Sequence, residues 1–379
     1  MDWHWAITMS AECPRERGHL NRRILTDSGP RFCPPLGNSL VDDVDRSYNR
    51  FSSPLPASSP TKPKSTVPRK VIVDCDMGAD DAVALSMLLF DDRFEVQAIT
   101  ATEGCVAADQ SNENLQAILT LLDPDRYPRV GMATPNENAP AVDSRFLYGE
   151  DGLGNSNFAV SVPQNARSSE KLIIDTVRSS PEEVSILCLG PLTNLARAFR
   201  RDPQLPAMVD RIVMTGGSLN ANGNITQCAE FNFYFDPESA REVLQSRATK
   251  MLVPLEVSSY VKFDLGLLND MPKEGSRVGD FLGRILPYTF RASRQQLGLE
   301  QIVLNDAIGA LSLLEPQLFE YESIGADVEV DGTLTRGVLV LDRRERPEWR
   351  GNTNIATSVR DSAGQYVIDQ LTMAGQKSR

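Results

Sequence analysis

The chain has 379 residues, 41% of them hydrophobic, enough for a sizeable core and not too long for one large α/β domain. A formal net charge of −12 argues against a nucleic-acid partner, and no apolar run reaches about 18 residues, which argues against a membrane span. The six cysteines are scattered without a CxxC pair, so neither a zinc finger nor a disulfide framework is expected, and a reducing, cytoplasmic compartment fits.

Residues 1–67 are rich in proline and serine and carry 9 Lys/Arg against 7 Asp/Glu. With no sustained periodicity, they read as a disordered or linker-like N-terminal extension. The first residues, MDWHWAITMSAECPRER, make a poor secretory signal, with Asp2, Glu12 and Arg15 around a short apolar patch. The α/β domain is expected over 68–379. Its first apolar run, Val71–Val73, has the β-branched composition of a buried strand. Four carboxylates follow at once, Asp74, Asp76, Asp80 and Asp81, with Gly78 between the pairs and a helix expected over Asp80–Phe90. A helix cap needs one carboxylate. Four repel one another unless a cation or hydrogen-bond donors offset them.

EVQAITAT predicts a strand, followed by a helix from about Gln110 to Leu122. SEKLIIDTVRSS reads as a helix, VSILCLG as a buried strand, and LTNLARAFRR as a helix after the Gly190-Pro191 turn. RIVMTGG and KMLVPLEV read as strands on either side of the helix PESAREVLQSR. A long helix is expected over Gly275–Leu297, with Pro287 as a candidate break. IVLNDAIGALSLLEP starts extended and turns helical at about Asn305. ADVEVDGTLTRGVLVLD reads as a hairpin turning at Asp331-Gly332, and a helix from Ser362 to Met373 closes the chain. Alternation of strands and helices predicts a mostly parallel open sheet with helices on both faces and a small β-hairpin near the C-terminus.

In such a sheet, ligands collect beyond the carboxyl ends of the strands. Those ends offer Asp74 and Asp76; Thr102, Glu103 and Cys105; the backbone at Leu189 and Gly190, with Thr193 and Asn194; Asn220, Asn222, Asn224, Glu230, Asn232 and Asp236; Glu256 and Ser258; Asn305 and Asp306. This set is rich in oxygen and suits a hard cation such as Ca²⁺ or Mg²⁺. Amides beside carboxylates suit hydroxyl recognition, so a sugar ring beside a metal-held water is the chemistry expected. Structural roles compete residue by residue: NANGN as a turn, Asn194 as a helix-start or packing residue, Asp306 as an N-cap, and Cys75, Cys188 and Cys228 as small buried hydrophobes. The only histidines are His4 and His19, so chemistry in the remainder proceeds without imidazole.

DCDMGADDA resembles the DxDPGxDDA signature of the nucleoside hydrolase family of the inosine-uridine preferring type, with Met77 in place of proline. LGPLTNLA, RIVMTGG with GNIT and AEFNFYFDPESA, YGEDGLG, and LNDAIGA resemble four further blocks of that family, in the same order. The resemblance implies a Ca²⁺ held by Asp76, Asp81, the backbone carbonyl of Leu189 and Asp306. It implies ribose hydroxyls held by Asp80, Asn224, Glu230, Asn232 and Asp306, and Asp76 as general base. The implied reaction is hydrolysis of a nucleoside N-glycosidic bond to base and ribose, through an oxocarbenium-like transition state that carboxylates stabilise. Among the partners implied are a small-molecule nucleoside or riboside and further copies of the chain, as a homodimer or homotetramer.

Three further positions depart from the family pattern. Asn305 replaces a histidine general acid, Cys105 replaces an asparagine near the ribose and the metal-held water, and Tyr148 replaces a histidine near the leaving base. Losing a general acid costs about 10²–10⁴-fold in rate. Tyr148, Tyr260 or a water could donate the proton instead, the substrate could carry a good leaving group, or the base could stack on Phe231, Tyr260 or Phe263. The alternative is a nucleoside- or ribose-binding protein of the same fold with lost or reduced turnover. A haloacid-dehalogenase-type phosphatase, which also opens with a strand-borne DxD, fits less well, because Met77-Gly78 leads to a second acid pair and no lysine is evident for the phosphate.

Overall fold

The computed structural model describes residues 67–379 apart from 142–144, 161–166, 221 and 273–274, and all of these belong to one compact unit. The linker-like segment expected over 1–67 lies, but for Val67, outside the described residues, as do both histidines.

Nine strands form the main sheet: β1 (Arg69–Cys75), β2 (Phe94–Ala101), β3 (Arg129–Met132), β4 (Arg167–Ser168), β5 (Val184–Cys188), β6 (Arg211–Thr215), β7 (Lys250–Val253), β10 (Phe319–Ile324) and β13 (Thr353–Val359). Their order is β10-β13-β7-β6-β5-β1-β2-β3-β4. Every neighbouring pair is parallel except β10 with β13. From β1 the chain steps outward through β2, β3 and β4, then returns to lay β5 on the other side of β1. The β1/β5 boundary is therefore the point where the winding reverses, and a crevice opens there beyond the strand ends. The fold is the mostly parallel open sheet expected from the sequence.

Alternation along the central strands divides two cores. Val71, Val73 and Cys75 face one, with Leu187 and Val213; Ile72 faces the other, with Ile186, Cys188, Ile212 and Met214. The helices Ala79–Leu89 and Asn305–Leu314 pack together on the first face. This packing brings residues distant in sequence to one crevice. On the second face lies the helix Thr193–Arg201.

Several elements differ from the sequence reading. β7 ends at Val253, because Pro254 starts the short helix Leu255–Ser258, which carries Glu256. The helix Arg277–Ala292 runs through Pro287 and continues as a π-turn over Ser293–Leu297. Pro287 removes a bond to the Gly283 carbonyl, and both residues are exposed, where water can satisfy that oxygen. The C-terminal hairpin pairs β11 (Ala326–Val328) with β12 (Leu339–Leu341) in a separate sheet. Its connection spans 329–338, with the turn at 333–337 rather than at Asp331-Gly332. A second small sheet joins β8 (Lys262–Phe263) to β9 (Ile302–Val303).

Candidate active site

β1 delivers the acids. Its last residue, Cys75, is followed by Asp76, and the helix begins at Ala79. Between them Met77 is fully buried and adopts φ +64°, the left-handed region, which costs a non-glycine residue about 1–2 kcal/mol. Proline, the family residue here, has φ fixed near about −65° and cannot take this conformation. The Gly78 N–H donates to Asp81 Oδ2 (2.8 Å), and the Cys105 N–H donates to Asp76 Oδ2 (2.7 Å). Asp81 Oδ1 is buried and has no hydrogen-bond partner among the described residues. Carboxylate oxygens of Asp80, Asp81 and Asp306 lie within 4.8 Å of one another, as do oxygens of Asp76 and Asp81 with Cys105 Sγ. Asp306 sits in the first turn of its helix, after the N-cap Leu304, so it is not the cap.

Burial and mutual repulsion set the electrostatics. Burial, then the charge of Asp76, raises Asp80 to about 6. Asp81 and Asp306 are pushed well above the carboxylate range, first by burial and then by neighbouring carboxylates. Asp74 stands behind the turn, fully buried on the opposite face of β1. Thr100 Oγ1 (2.5 Å) and Asn194 Nδ2 (2.9 Å) donate to its Oδ1, yet burial still lifts it to about 7. Asn194 Nδ2 also donates to the Ala101 carbonyl (2.8 Å), which ties the helix Thr193–Arg201 to β1 and β2. Asn194 is thus the packing residue the sequence suggested.

The crevice is lined by Asp76, Asp80, Asp306, Glu230, Asn232, Asn224 and Leu189 at its polar end. Leu189 O accepts from Asn232 Nδ2 (2.8 Å) and Thr215 Oγ1 (3.0 Å). Glu230 is both a lining residue and a helix cap: its carboxylate accepts from the N–H groups of Gly217, Asn232 and Phe233. Burial nonetheless raises it to about 7. Asn224 Oδ1 accepts from the Phe231 N–H (2.8 Å), and Asn224 N donates to Ala229 O, so the GNIT loop is a turn that also lines the cleft. A Cβ on Gly223 would run into the Thr226 carbonyl, so that turn requires glycine.

Other strand-end residues have structural work. Asp236 caps the helix Pro237–Gln245 and accepts from Thr193 Oγ1 and Asn136 Nδ2. Glu256 holds the Ser218–Asn220 loop through the Ser218 hydroxyl and two backbone N–H groups. Cys75 and Cys188 are buried as expected, whereas Cys228 is partly exposed and donates to Leu334 O. Thr100, Asn114 and Thr215 are supporting residues that the sequence reading missed. Isolated polar residues on an apolar strand or helix carry no distinguishing pattern.

Cys105, Tyr148 and Asn305 all line the same cleft, with Phe146, Leu147, Ile225 and Phe231 as its apolar part. Tyr148 ends the short helix Arg145–Tyr148. The following loop is held by Asp151, whose carboxylate accepts from the N–H groups of Leu153, Asn155 and Asn157, and by Asn114 Nδ2, which donates to the Asp151 and Met77 carbonyls. The Asp80 charge and burial keep the Tyr148 phenol protonated well above its usual range, and burial does the same for the Cys105 thiol. Asn305 Oδ1 accepts from Ser258 Oγ (2.9 Å). Of the stacking candidates, Phe231 is in the cleft. Phe263 is buried in the first core, and Tyr260 points its hydroxyl at Asp361 (2.7 Å).

The donor set fits a hard divalent cation. A buried carboxylate oxygen without a partner sits among three further carboxylates, and no Lys or Arg lines the cleft among the described residues.

The profile of the inosine-uridine preferring nucleoside hydrolases matches residues 71–364. A non-specific ribonucleoside hydrolase of Salmonella paratyphi A is 30% identical over 305 residues, covering 80% of this chain and 98% of the relative. A probable uridine nucleosidase of Oryza sativa subsp. japonica is 32% identical over 269 residues, covering 69% and 79%. Among solved structures, a plant nucleoside hydrolase superposes with a TM-score of 0.74 at 27% identity, covering 82% of this chain and 99% of that one. An inosine-guanosine nucleoside hydrolase gives 0.72 at 25% identity, with the same coverage. The chain belongs to the inosine-uridine preferring nucleoside hydrolase family, hydrolases that act on N-glycosyl bonds and depend on a metal.

Proposed function

We propose that the cleft hydrolyses the N-glycosidic bond of a ribonucleoside or related N-riboside with Ca²⁺ as its metal, and that Asp76, Asp81, the Leu189 carbonyl and Asp306 hold the ion. The observation that carries this reading is Asp81 Oδ1, buried and without a partner among the described residues, on a carboxylate that clusters with those of Asp76, Asp80 and Asp306. When bound, the cation supplies charge for the carboxylates and lowers the pKa of a nearby water. Asp76 accepts the proton of the attacking water. Asp80, Asn224, Glu230, Asn232 and Asp306 hold ribose hydroxyls, and the surrounding carboxylates stabilise the positive charge that develops on the sugar. Leu189 O already uses both lone pairs, so a cation there requires Thr215 or Asn232 to turn away.

The test is a panel of purine and pyrimidine nucleosides incubated with metal-loaded protein, with release of free ribose as the readout. Ribose release that depends on the metal supports the reading; its absence with every nucleoside overturns it. Elemental analysis identifies the ion, and one equivalent of calcium is expected. Cytoplasmic localisation and a homodimer or homotetramer belong to the same proposal, and are tested by cell fractionation and by light scattering on the purified protein. The free cysteines Cys75, Cys188 and Cys228 support the first.

A further inference from the structure

A neutral nucleoside base leaves as an anion unless something protonates it. In this cleft the residue at the end of the Ser258 hydroxyl is Asn305, whose Oδ1 is occupied by that hydroxyl at 2.9 Å. Its side chain therefore offers the cavity only an NH₂ group, which donates a hydrogen bond but cannot release a proton. Tyr148 lines the same cleft, and the Asp80 charge and burial hold its phenol in the protonated form. The cleft that Asn305 lines carries the aromatic residues Phe146, Tyr148 and Phe231 together with carboxylates, and no Lys or Arg is among its described lining residues. Aromatic faces and carboxylates both attract a cation, and both disfavour a departing anion.

We infer that the preferred substrates are N-ribosides whose heteroaromatic base is already cationic, because the cleft binds positive charge on that side and Asn305 offers it no proton. The inference rests on the hydrolase reading above and names the substrate class of that site. The step balances without an acid. Water oxygen forms a bond to C1′, and one of its protons passes to Asp76. The C1′–N bond breaks with its electron pair going to the ring nitrogen, which becomes neutral, and the net products are ribose, neutral base and one proton.

The experiment uses the metal-loaded full chain and two matched comparisons, 7-methylguanosine with guanosine and the 3-carbamoylpyridinium riboside with uridine, reading free ribose. The cationic member of each pair is expected to exceed the neutral one in kcat/KM by at least about 10²-fold, the scale of a missing general acid. Asn305→His restores a proton donor and is expected to narrow both ratios at least about tenfold, mainly by raising the neutral rates. Neutral nucleosides cleaved within tenfold of the cationic ones overturn the inference and leave the hydrolase reading intact. So does a folded Asn305→His protein with unchanged ratios. Should that variant not fold, the wild-type ratios decide. No ribose from any of the four probes overturns the hydrolase reading and this inference together.

Discussion

Asp81 Oδ1 is a buried carboxylate oxygen with no partner among the described residues, and such an oxygen costs about 1–3 kcal/mol. Its neighbours Asp76 and Asp80 add like charge, so the metal-free cleft is a strained arrangement. Asp81→Asn keeps the shape: the amide oxygen still accepts from Gly78 N–H, and the NH₂ can donate to the surrounding carboxylates. The metal-free variant is expected to be more stable than the metal-free wild type by about 1–3 kcal/mol in urea unfolding, while elemental analysis finds no bound metal. A variant that still holds one equivalent removes Asp81 from the ligand set. Behind the turn the balance runs the other way. Asn194 supplies one of two donors to Asp74 and shares the Ala101 carbonyl with Ser169 Oγ, so Asn194→Ala removes one donor from the buried carboxylate and one from that carbonyl. A loss of about 2–3 kcal/mol is expected in the same assay, and a loss below about 0.5 would show that Asp74 does not need the brace.

Lys250, the first residue of β7, is a buried cation with no carboxylate partner among the described residues; its Nζ donates to the Ser246 (2.6 Å) and Ala248 (3.0 Å) carbonyls, and burial lowers it to about 8. The folded chain thus sheds this proton near pH 8, whereas the unfolded chain keeps it until about 10.5. Across that window the unfolded state binds more protons, so this residue's contribution to stability rises with pH. Compared with Lys250→Met, the wild type is expected to gain stability from pH 8 to 10, and a constant difference between the two would exclude the assignment. β7 also shows what the sequence could reveal. Central strands such as β1, β5 and β6 are apolar on both faces and were legible as runs of valine, isoleucine and leucine. β13, TNIATSV, and β10, FEYESI, escaped notice because polar side chains interrupt the run and the ladder between β13 and β7 is only two residues long. β3 and β4 are short, and β4 is the other edge of the sheet, where one partner is missing and composition is unconstrained. The carboxylates of the site were legible because four lie within eight residues. The double role of Glu230 as lining residue and cap was not, since a glutamate caps a helix only when the fold aims it there. Met77 sharpens the same point: the substitution is visible in the sequence, but its left-handed backbone is not. Met77→Pro is therefore expected to disrupt the carboxylate turn and weaken metal binding by more than tenfold, although it restores the family residue; calorimetric titration with Ca²⁺ checks this.

At the scale of the molecule, the acid cluster joins the two ends of the fold. Asp76 comes from the turn after the first strand and Asp80 and Asp81 from the first helix, while Asp306 comes from a helix more than 200 residues later that packs against that helix. A cation bridging these segments would bind the folded chain and would have no equivalent site in the unfolded one. At a free metal concentration of about 100 times Kd, this linkage adds about 2.7 kcal/mol. For a domain of this size each kcal/mol shifts the melting temperature by about 2 °C or slightly less, so chelation is expected to lower Tm by about 4–5 °C. The shift should return on adding Ca²⁺ and should be absent in Asp81→Asn, whose Tm already lies above that of the chelated wild type. Combining the two distinguishes a bridging ion from a chelator that merely perturbs the protein. A chelator effect of equal size in the variant would mean that the cluster is not where the metal acts. A wild-type Tm indifferent to chelation, with no metal found by elemental analysis, would mean that protons rather than a cation neutralise the four carboxylates.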